Sequence, residues 1–549
     1  AATLAEETGD KDMQTTCLLS MGRSLRRLQR FEEAVDPLRR AAALAEETGD
    51  KDMQTTCLLS MGRSLGQLER FEEALDTLRR AAALAEETGD KDVQTTCLLS
   101  MGRSLGQLER FEEALDTLRR AATLAEETGD KDMQTICLLS MGRSLGRLQR
   151  FEEAVGTLRR AAALAEETGD KGVQAACLLF VGQSLGQLER FEEALDTLRR
   201  AATLAEETGD KDVQTICLLS MGRSLGQLER FEEALDTLRR AATLAEETGD
   251  KNMQTICLRE MGGSFGQLGS YEEAVDTLRR ALALAEGMND KNEQEACLGL
   301  MGWSLGQLGH HEESVNALCR AVTLAQELGD KAAQAICLRF MASSLGQLGR
   351  FEEMLSAHLD ASHAFATLGD YEWQTYNLAR ACRCTVILNR LDLCQGILNE
   401  ATDSSLFEQR LPEELAAALA YVEQHEGRAE AFARGQQILR WWSEPSLSFD
   451  AHPMLRGLFA GLVHEEVSPG LLRDLAEEIQ TSFATLPAPD RQAMDLTLDY
   501  LESGRDEAVL QRADPDIAAA VRTITSGTAR EEQPPAAPAA TPKPARKKR

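Results

Sequence analysis

Between Lys51 and Asp90, Leu58, Met61, Leu65 and Leu68 recur at spacings of three and four, and Phe71, Ala74, Leu75, Leu78, Ala81, Ala82 and Leu84 do much the same. Such spacing gathers apolar side chains on one face of a helix, so the segment predicts two amphipathic helices in succession. The polar positions supply the punctuation. Gly49 suits the left-handed residue that closes a helix, and Asp50 suits the cap of the next one. Glu72 and Glu73 fall in the first turn of the second helix, where negative charge complements the macrodipole. Each forty-residue unit therefore reads as a helical hairpin.

The unit returns with a fixed period. Lys11 to Asp50 recurs as Lys51 to Asp90 and so on through Lys331 to Asp370, nine full copies. Self-similarity at this period predicts a solenoid or array in place of the three or four separate domains that 549 residues would otherwise suggest. Gly62 lies inside the first helix, where it costs about 1 kcal/mol against Ala. Its return in eight copies predicts that a neighbouring helix packs against bare backbone, with Ala342 the exception among the full units. Pro37, where most units have Thr, predicts a broken or kinked second helix.

Met61-Gly62, Leu65, Phe71, Ala74, Leu78 and Ala81 place the chain in resemblance to the tetratricopeptide repeat family over residues 1 to about 401. The six residues beyond the usual 34 make the units similar to the long variant of kinesin light chains and Pins/LGN-type scaffolds. Two positions depart from that pattern: the helix-ending Pro is absent, and Arg63 stands where the long-repeat proteins commonly carry a peptide-binding Asn. The resemblance implies an all-α, right-handed superhelical solenoid whose first helices line a concave face.

Along the chain, residues 1–10 read as the end of a truncated repeat and 11–370 as the nine repeats. Residues 371–401 read as a degenerate tenth, with Cys382 in place of the Gly, of the kind expected to end stacking. Residues 402–526 read as a helical cap, with helices at Leu415 to Trp442, Leu471 to Leu486 and Asp490 to Leu501 separated by Pro445, Pro453, Pro469, Pro487 and Pro489. Residues 527–549 read as a disordered Pro/Ala tail with the basic end Arg546-Lys547-Lys548-Arg549.

Charge narrows the partners. With 60 Lys and Arg against 90 Asp and Glu the net charge is −30, which argues against wrapping nucleic acid, since that needs clustered cations. No run of 18 or more apolar residues argues for a bilayer span and no basic, apolar leader opens the chain, so the expectation is a cytoplasmic protein without a membrane partner.

Candidate chemistry dissolves on inspection. Gly62-Arg63-Ser64-Leu65-Gly66 matches a nucleophile elbow, but the motif recurs in seven copies inside helices and lacks the strand-to-helix turn. Nine of the 13 cysteines (Cys17, Cys57, Cys97, Cys137, Cys177, Cys217, Cys257, Cys297 and Cys337) lie 40 apart beside a core Leu, as small buried hydrophobes do. Helix packing at about 8 to 10 Å exceeds the disulfide limit of about 7 Å, so reduced thiols are expected. Cys382-Arg383-Cys384 with Cys394 is not zinc spacing, and the seven histidines form no His-Glu-x-x-His. The reading is a non-enzyme with no catalytic residue, no metal and no cofactor.

What remains is a ladder. Arg23, Arg63, Arg103, Arg143 and Arg223 each follow the helix Gly, with Gln183 interrupting. On the analogy of the concave face, Leu19, Leu59, Leu99, Leu139, Leu179 and Leu219 point the same way one turn earlier, and Gln67, Gln107, Gln187 and Gln227 one turn later. Arginines set in apolar surface hold carboxylates by forked hydrogen bonds, unless each merely pairs with a nearby Glu. Past the sixth unit the ladder becomes Gly263, Trp303 and Ser343, with Arg259 and Arg339 in the Leu row; Trp303 is either an anchor or a packing substitute.

These expectations add up to a protein-interaction scaffold that takes an acidic peptide or protein partner in its groove. Two alternatives stay open. One is the sensor arm of a larger signalling ATPase or caspase-like protein, motivated by the mid-repeat start. The other is a self-assembling structural spacer of near-identical units.

Overall fold

The computed structural model describes residues 10–398, 404–442, 451–483, 486–503 and 505–526. The expected tail and nearly all of the truncated first repeat lie outside the described residues. Those described form 27 helices and no strand. The chain divides into two compact units, residues 1–260 and 261–549.

Each repeat is a hairpin of a first helix, such as Lys51–Gln67, and a second, such as Phe71–Thr88. The sequence sets both ends. Asp50 accepts from the Met53 backbone N–H at 2.9 Å, and the same cap recurs at Asp10, Asp90, Asp130, Asp170 and Asp210. A cap of this kind contributes about 1 kcal/mol. Gly89 closes the second helix at φ +76°, its N–H returning to the Glu86 carbonyl. Between the two helices the turn requires a left-handed residue as well, and here the early repeats use Glu69, Glu109, Gln149, Glu189 and Glu229 at φ 59° to 60° and 58° for Glu229. The later repeats use Gly269, Gly309 and Gly349.

The core is aliphatic. Leu58, Leu65, Leu75 and Leu78 are 2% exposed or less, and Ala74, Ala81 and Ala85 fill the space where helices approach. Each buried Leu contributes about 1.5 to 3 kcal/mol. Gly62 is explained by Leu78: a Cβ added to the glycine would lie 2.6 Å from Leu78 Cγ. The pairing recurs sixteen residues apart as Gly22 with Leu38, Gly102 with Leu118 and Gly142 with Leu158. Ala342 is tolerated because its partner position is no longer Leu but His358.

Pro37 does not break its helix, which runs unbroken from Phe31 to Thr48. It lies in the second turn, so only the carbonyl of Glu33 loses an N–H partner. In the neighbouring unit that carbonyl's equivalent, Glu73, accepts from the Thr77 hydroxyl at 2.8 Å.

Among the described residues up to 250, every first helix packs on the second helix of its own repeat, and those from Lys51–Gln67 to Lys211–Gln227 also pack on the second helix of the preceding repeat. Successive first helices also touch one another, which the second helices do not match among the described residues. The first helices therefore form the tighter, inner side of this stack and the second helices the outer side.

In the second unit the region after the repeats differs from expectation. The helix Tyr371–Ile387 is not an end to stacking, since Ser404–Glu426 packs on it, and Ala451–His464 packs on that helix in turn. The stretch from Leu415 to Trp442 is two helices, Ser404–Glu426 and Arg428–Trp442, parted by Gly427 at φ +101°. Gly427 is a chain-reversing residue that an apolar period alone does not register.

Candidate functional site

The inner side of residues 1–260 carries one stripe of polar side chains, and it is the arginine ladder. Arg23, Arg63, Arg103 and Arg143 are all exposed, one residue after the glycine that seats Leu38, Leu78, Leu118 and Leu158. Because that glycine faces its own hairpin partner, the next residue is turned about 100° around the helix, away from the core.

None of these four has a carboxylate within ion-pair distance among the described residues. Other arginine rows behave differently. Arg70 forks onto Glu73 at 2.7 and 2.8 Å and reaches Glu32 of the preceding repeat at 3.5 Å, and Arg110, Arg150, Arg190 and Arg230 fork the same way. That fork holds the Glu73 carboxyl below the usual carboxylate range. On the outer helices Arg79, Arg119 and Arg199 pair with Asp76, Asp116 and Asp196. On the outer helices Arg120, Arg160, Arg200 and Arg240 likewise meet no carboxylate, so what sets the inner row apart is that its cations act on one another. Partial desolvation, and then the charges of Arg63 and Arg143, lower the Arg103 pKa from the ordinary arginine value.

The row ends before the unit does. Gln183 replaces the fifth arginine and donates to Ser220 Oγ at 3.4 Å. Arg223, the next, donates to Glu260 Oε1 at 2.9 Å, and the buried Arg259 meets the same carboxylate at 3.1 Å. Burial alone would raise the Glu260 pKa, but Arg259 and Arg223 hold it below the usual range. The part of the ladder without a carboxylate is Arg23 to Arg143, of which Arg143 lies over the Phe180 ring, 5.4 Å from its centre.

The apolar flank is narrower than the sequence suggests. Leu19 and Leu99 are 6% exposed and belong to the core, whereas Leu59 and Leu139 are partly exposed. Gln67 and Gln107 are exposed one turn beyond the arginines. Three further cations on this face escaped the periodic reading because they break the period: Arg26 stands where later units have Gly66 and Gly106, and Arg27 and Arg147 stand where they have Gln67 and Gln107. A search for departures from the repeat would have found them.

In the second unit the equivalent positions are filled differently. Trp303 packs over the bare backbone of Gly266, where a Cβ would lie 2.5 Å from its ring, and meets Tyr271 edge-on at 5.8 Å and Phe340 at 6.4 Å. Arg339 lies over Phe340 and Trp373, its guanidinium carbon 4.3 and 4.6 Å from the ring centres. Arg380 and Arg383 both face Glu414, at 2.8 and 3.5 Å.

The remaining sequence candidates are structural. Ser64, Ser144, Ser184 and Ser224 donate to carbonyls one turn back in their own helices, at 2.8 to 3.2 Å. The thirteen cysteines are free thiols, and burial pushes Cys97, Cys137, Cys177 and Cys217 up to about 12. No group of three metal-ligating side chains occurs among the described residues, and none of their helices is long and apolar enough to cross a membrane.

Solved structures with similar folds include aspartyl phosphate phosphatase F from Bacillus subtilis (14% identity, 64% of this chain and 94% of that one, TM-score 0.43). Another is a signal transduction ATPase with numerous domains and a tetratricopeptide repeat sensor from Pyrococcus horikoshii (15%, 69% and 53%, TM-score 0.44). A third is a kinesin light chain of nearly identical TPR-like repeats from Podosopora anserina (15%, 36% and 96%, TM-score 0.32). No curated protein sequence matches. The profiles of the tetratricopeptide repeat match residues 15–48, 54–127, 132–207, 214–287 and 254–327. With the hairpin geometry, the capping and the glycine–leucine seats repeating in step, the chain belongs to the tetratricopeptide repeat family.

Proposed function

We propose that the inner face of residues 1–260 captures an extended acidic segment of a partner protein, as a non-catalytic interaction module. The observation that carries this reading is the row Arg23, Arg63, Arg103 and Arg143, exposed and without carboxylate partners in a protein of net charge −30. A row of like charges is unfavourable by itself and is relieved by a bound anion. Guanidinium forks suit carboxylates, and the partly exposed Leu59 and Leu139 offer apolar contact between them.

The spacing narrows the ligand. Packed helices lie about 8 to 10 Å apart, and an extended chain advances about 3.3 to 3.6 Å per residue. An acidic residue at every third position therefore keeps step with the row. Near-identity of the repeats makes such binding tolerant of register.

The test is fluorescence anisotropy with a labelled peptide of about sixteen residues carrying Glu at every third position, against the full chain and against the triple substitution Arg63→Glu, Arg103→Glu, Arg143→Glu. Loss of three charge-assisted contacts, and their replacement by repulsion, is expected to weaken binding more than about 100-fold. The folded state should be unharmed, since the three side chains are outside the core. Equal affinity in the two proteins removes the reading.

A further inference from the structure

One end of the row is built differently from the rest. In the first repeat the position that is glycine in later units is Arg26, and the next residue is Arg27, so Arg23, Arg26, Arg27 and, from the adjoining first helix, Arg63 occupy one stretch of the inner face. Arg26 is half-buried. Its Nε is fully enclosed and has no hydrogen-bond partner. The equivalent position at Gly66 looks toward the next first helix, with Ser104 Oγ 3.9 Å from an added Cβ, so Arg26 extends across the seam toward the helix that carries Arg63. Arg23, Arg26 and Arg27 stand at i, i+3 and i+4 on one face of their helix, and burial and then the charges of Arg63 and Arg23 lower the Arg26 pKa from the ordinary value. Three arginines on one helix face are more charge than one carboxylate neutralises.

We infer that Arg23, Arg26, Arg27 and Arg63 form a site for a phosphomonoester borne by the partner peptide, a phosphorylated serine, threonine or tyrosine at one end of the acidic segment. This rests on the inner-face reading above and sharpens it. A phosphomonoester brings nearly two charges and three acceptor oxygens to one point, which matches several converging forks, while the single arginines at 103 and 143 match one carboxylate each. The inner side of a curved stack also admits a chain more readily than a flat surface.

The experiment uses the full chain and the acidic peptide described above in forms ending in Ser or phosphoserine, with the modified residue at the amino end in one pair and the carboxyl end in another. In one orientation phosphorylation is expected to raise affinity about 30-fold. Arg26→Gly, which installs the residue the later repeats use and so preserves the fold, should cut that advantage, read as the ratio of phosphorylated to unphosphorylated affinity in the same variant, to about 3-fold or less. The advantage should also shrink between pH 7.5 and 5.5, as the phosphate, whose second pKa is about 6, takes up a proton. If the unphosphorylated peptide binds and phosphate adds nothing in either orientation, or if the advantage survives Arg26→Gly, the inference is wrong while the acidic-segment reading stands. Failure of the unphosphorylated peptide to bind at all overturns both.

Discussion

The repeats of residues 11–250 and the stretch from His358 to Trp442 are both built of stacked helices, yet they place polar groups in opposite ways. In the early repeats the buried polar side chains are uncharged Thr, Ser and Gln, and the inner-row arginines Arg23 to Arg143 stand on the surface without a carboxylate, Arg143 over the Phe180 ring. In the later stretch basic groups are inside. His358 and Asn377 are buried together, and Arg434 is 4% exposed, its Nη1 donating to the carbonyls of Val386 and Ile387 at 3.0 and 2.7 Å while Nη2 meets Glu426. The difference teaches where stability is kept. A periodic stack spreads it over many equal apolar seats and leaves its surface free for a ligand. A divergent stretch concentrates it in a few polar locks, each of which is costly to break.

The lock at Arg434 gives the largest expected effect. Arg434→Ala leaves two helix-end carbonyls and Glu426 without their partner, a loss of about 3 to 5 kcal/mol. It should loosen the helices Ser404–Glu426 and Arg428–Trp442 without touching the early repeats. Limited proteolysis should then cut after residue 398 while the segment 11–250 stays protected; uniform loosening of both would erase the contrast.

The His358 pair gives a pH-dependent version of the same contrast. Asn377 spends its Nδ2 on the Trp373 carbonyl at 2.7 Å, so its Oδ1 accepts from a proton on His358 Nδ1 at 3.0 Å, and Nε2 is left bare and enclosed. Burial lowers the His358 pKa to about 3, with a smaller opposing effect from Asn377 and further lowering by Arg380, Arg383 and Arg339. The folded state then binds fewer protons than the unfolded one between pH 3 and the unfolded value of about 6.5. Stability is full above that window and is lost as pH falls through it, by about 2 kcal/mol at pH 5. Urea midpoints measured from pH 8 to 5 should fall less steeply in His358→Gln. An unchanged slope would mean that the imidazole is not the titrating group.

The smallest effect compares the turns. Glu69 holds φ +59° where Gly309 holds +78°, and a non-glycine residue there stores about 1 kcal/mol of strain. Glu69→Gly should raise the melting temperature slightly, and Gly309→Glu should lower it by a similar amount. If both are silent, the turns of the early and the later repeats are equivalent and the glycines carry no advantage.

Most of the fold was legible because it rests on local chemistry repeated many times. The Asp caps, the closing glycines and the 3–4 spacing of Leu58, Leu65, Leu75 and Leu78 each specify one feature and agree from unit to unit. Pro37 misled because helix propensity was weighed without the packing around it. Gly427 and the helix Ala451–His464 were missed because beyond residue 402 no repeat reinforces a weak signal. The arginine row was visible as a row, but Arg26, Arg27 and Arg147 were hidden by the habit of looking for what recurs.

The sequence by itself determined the helical hairpin, its register and its family, since capping, periodicity and bare glycine are properties of neighbouring residues. Only the tertiary structure decided which cations have partners. Arg70 and Arg63 are seven residues apart in one unit, and although Glu73 is within local i,i+3 reach of the first, nothing local says that it also reaches Glu32 while the second meets no carboxylate. That depends on which helices face each other across repeats, where distances between charges are set by packing and not by spacing along the chain.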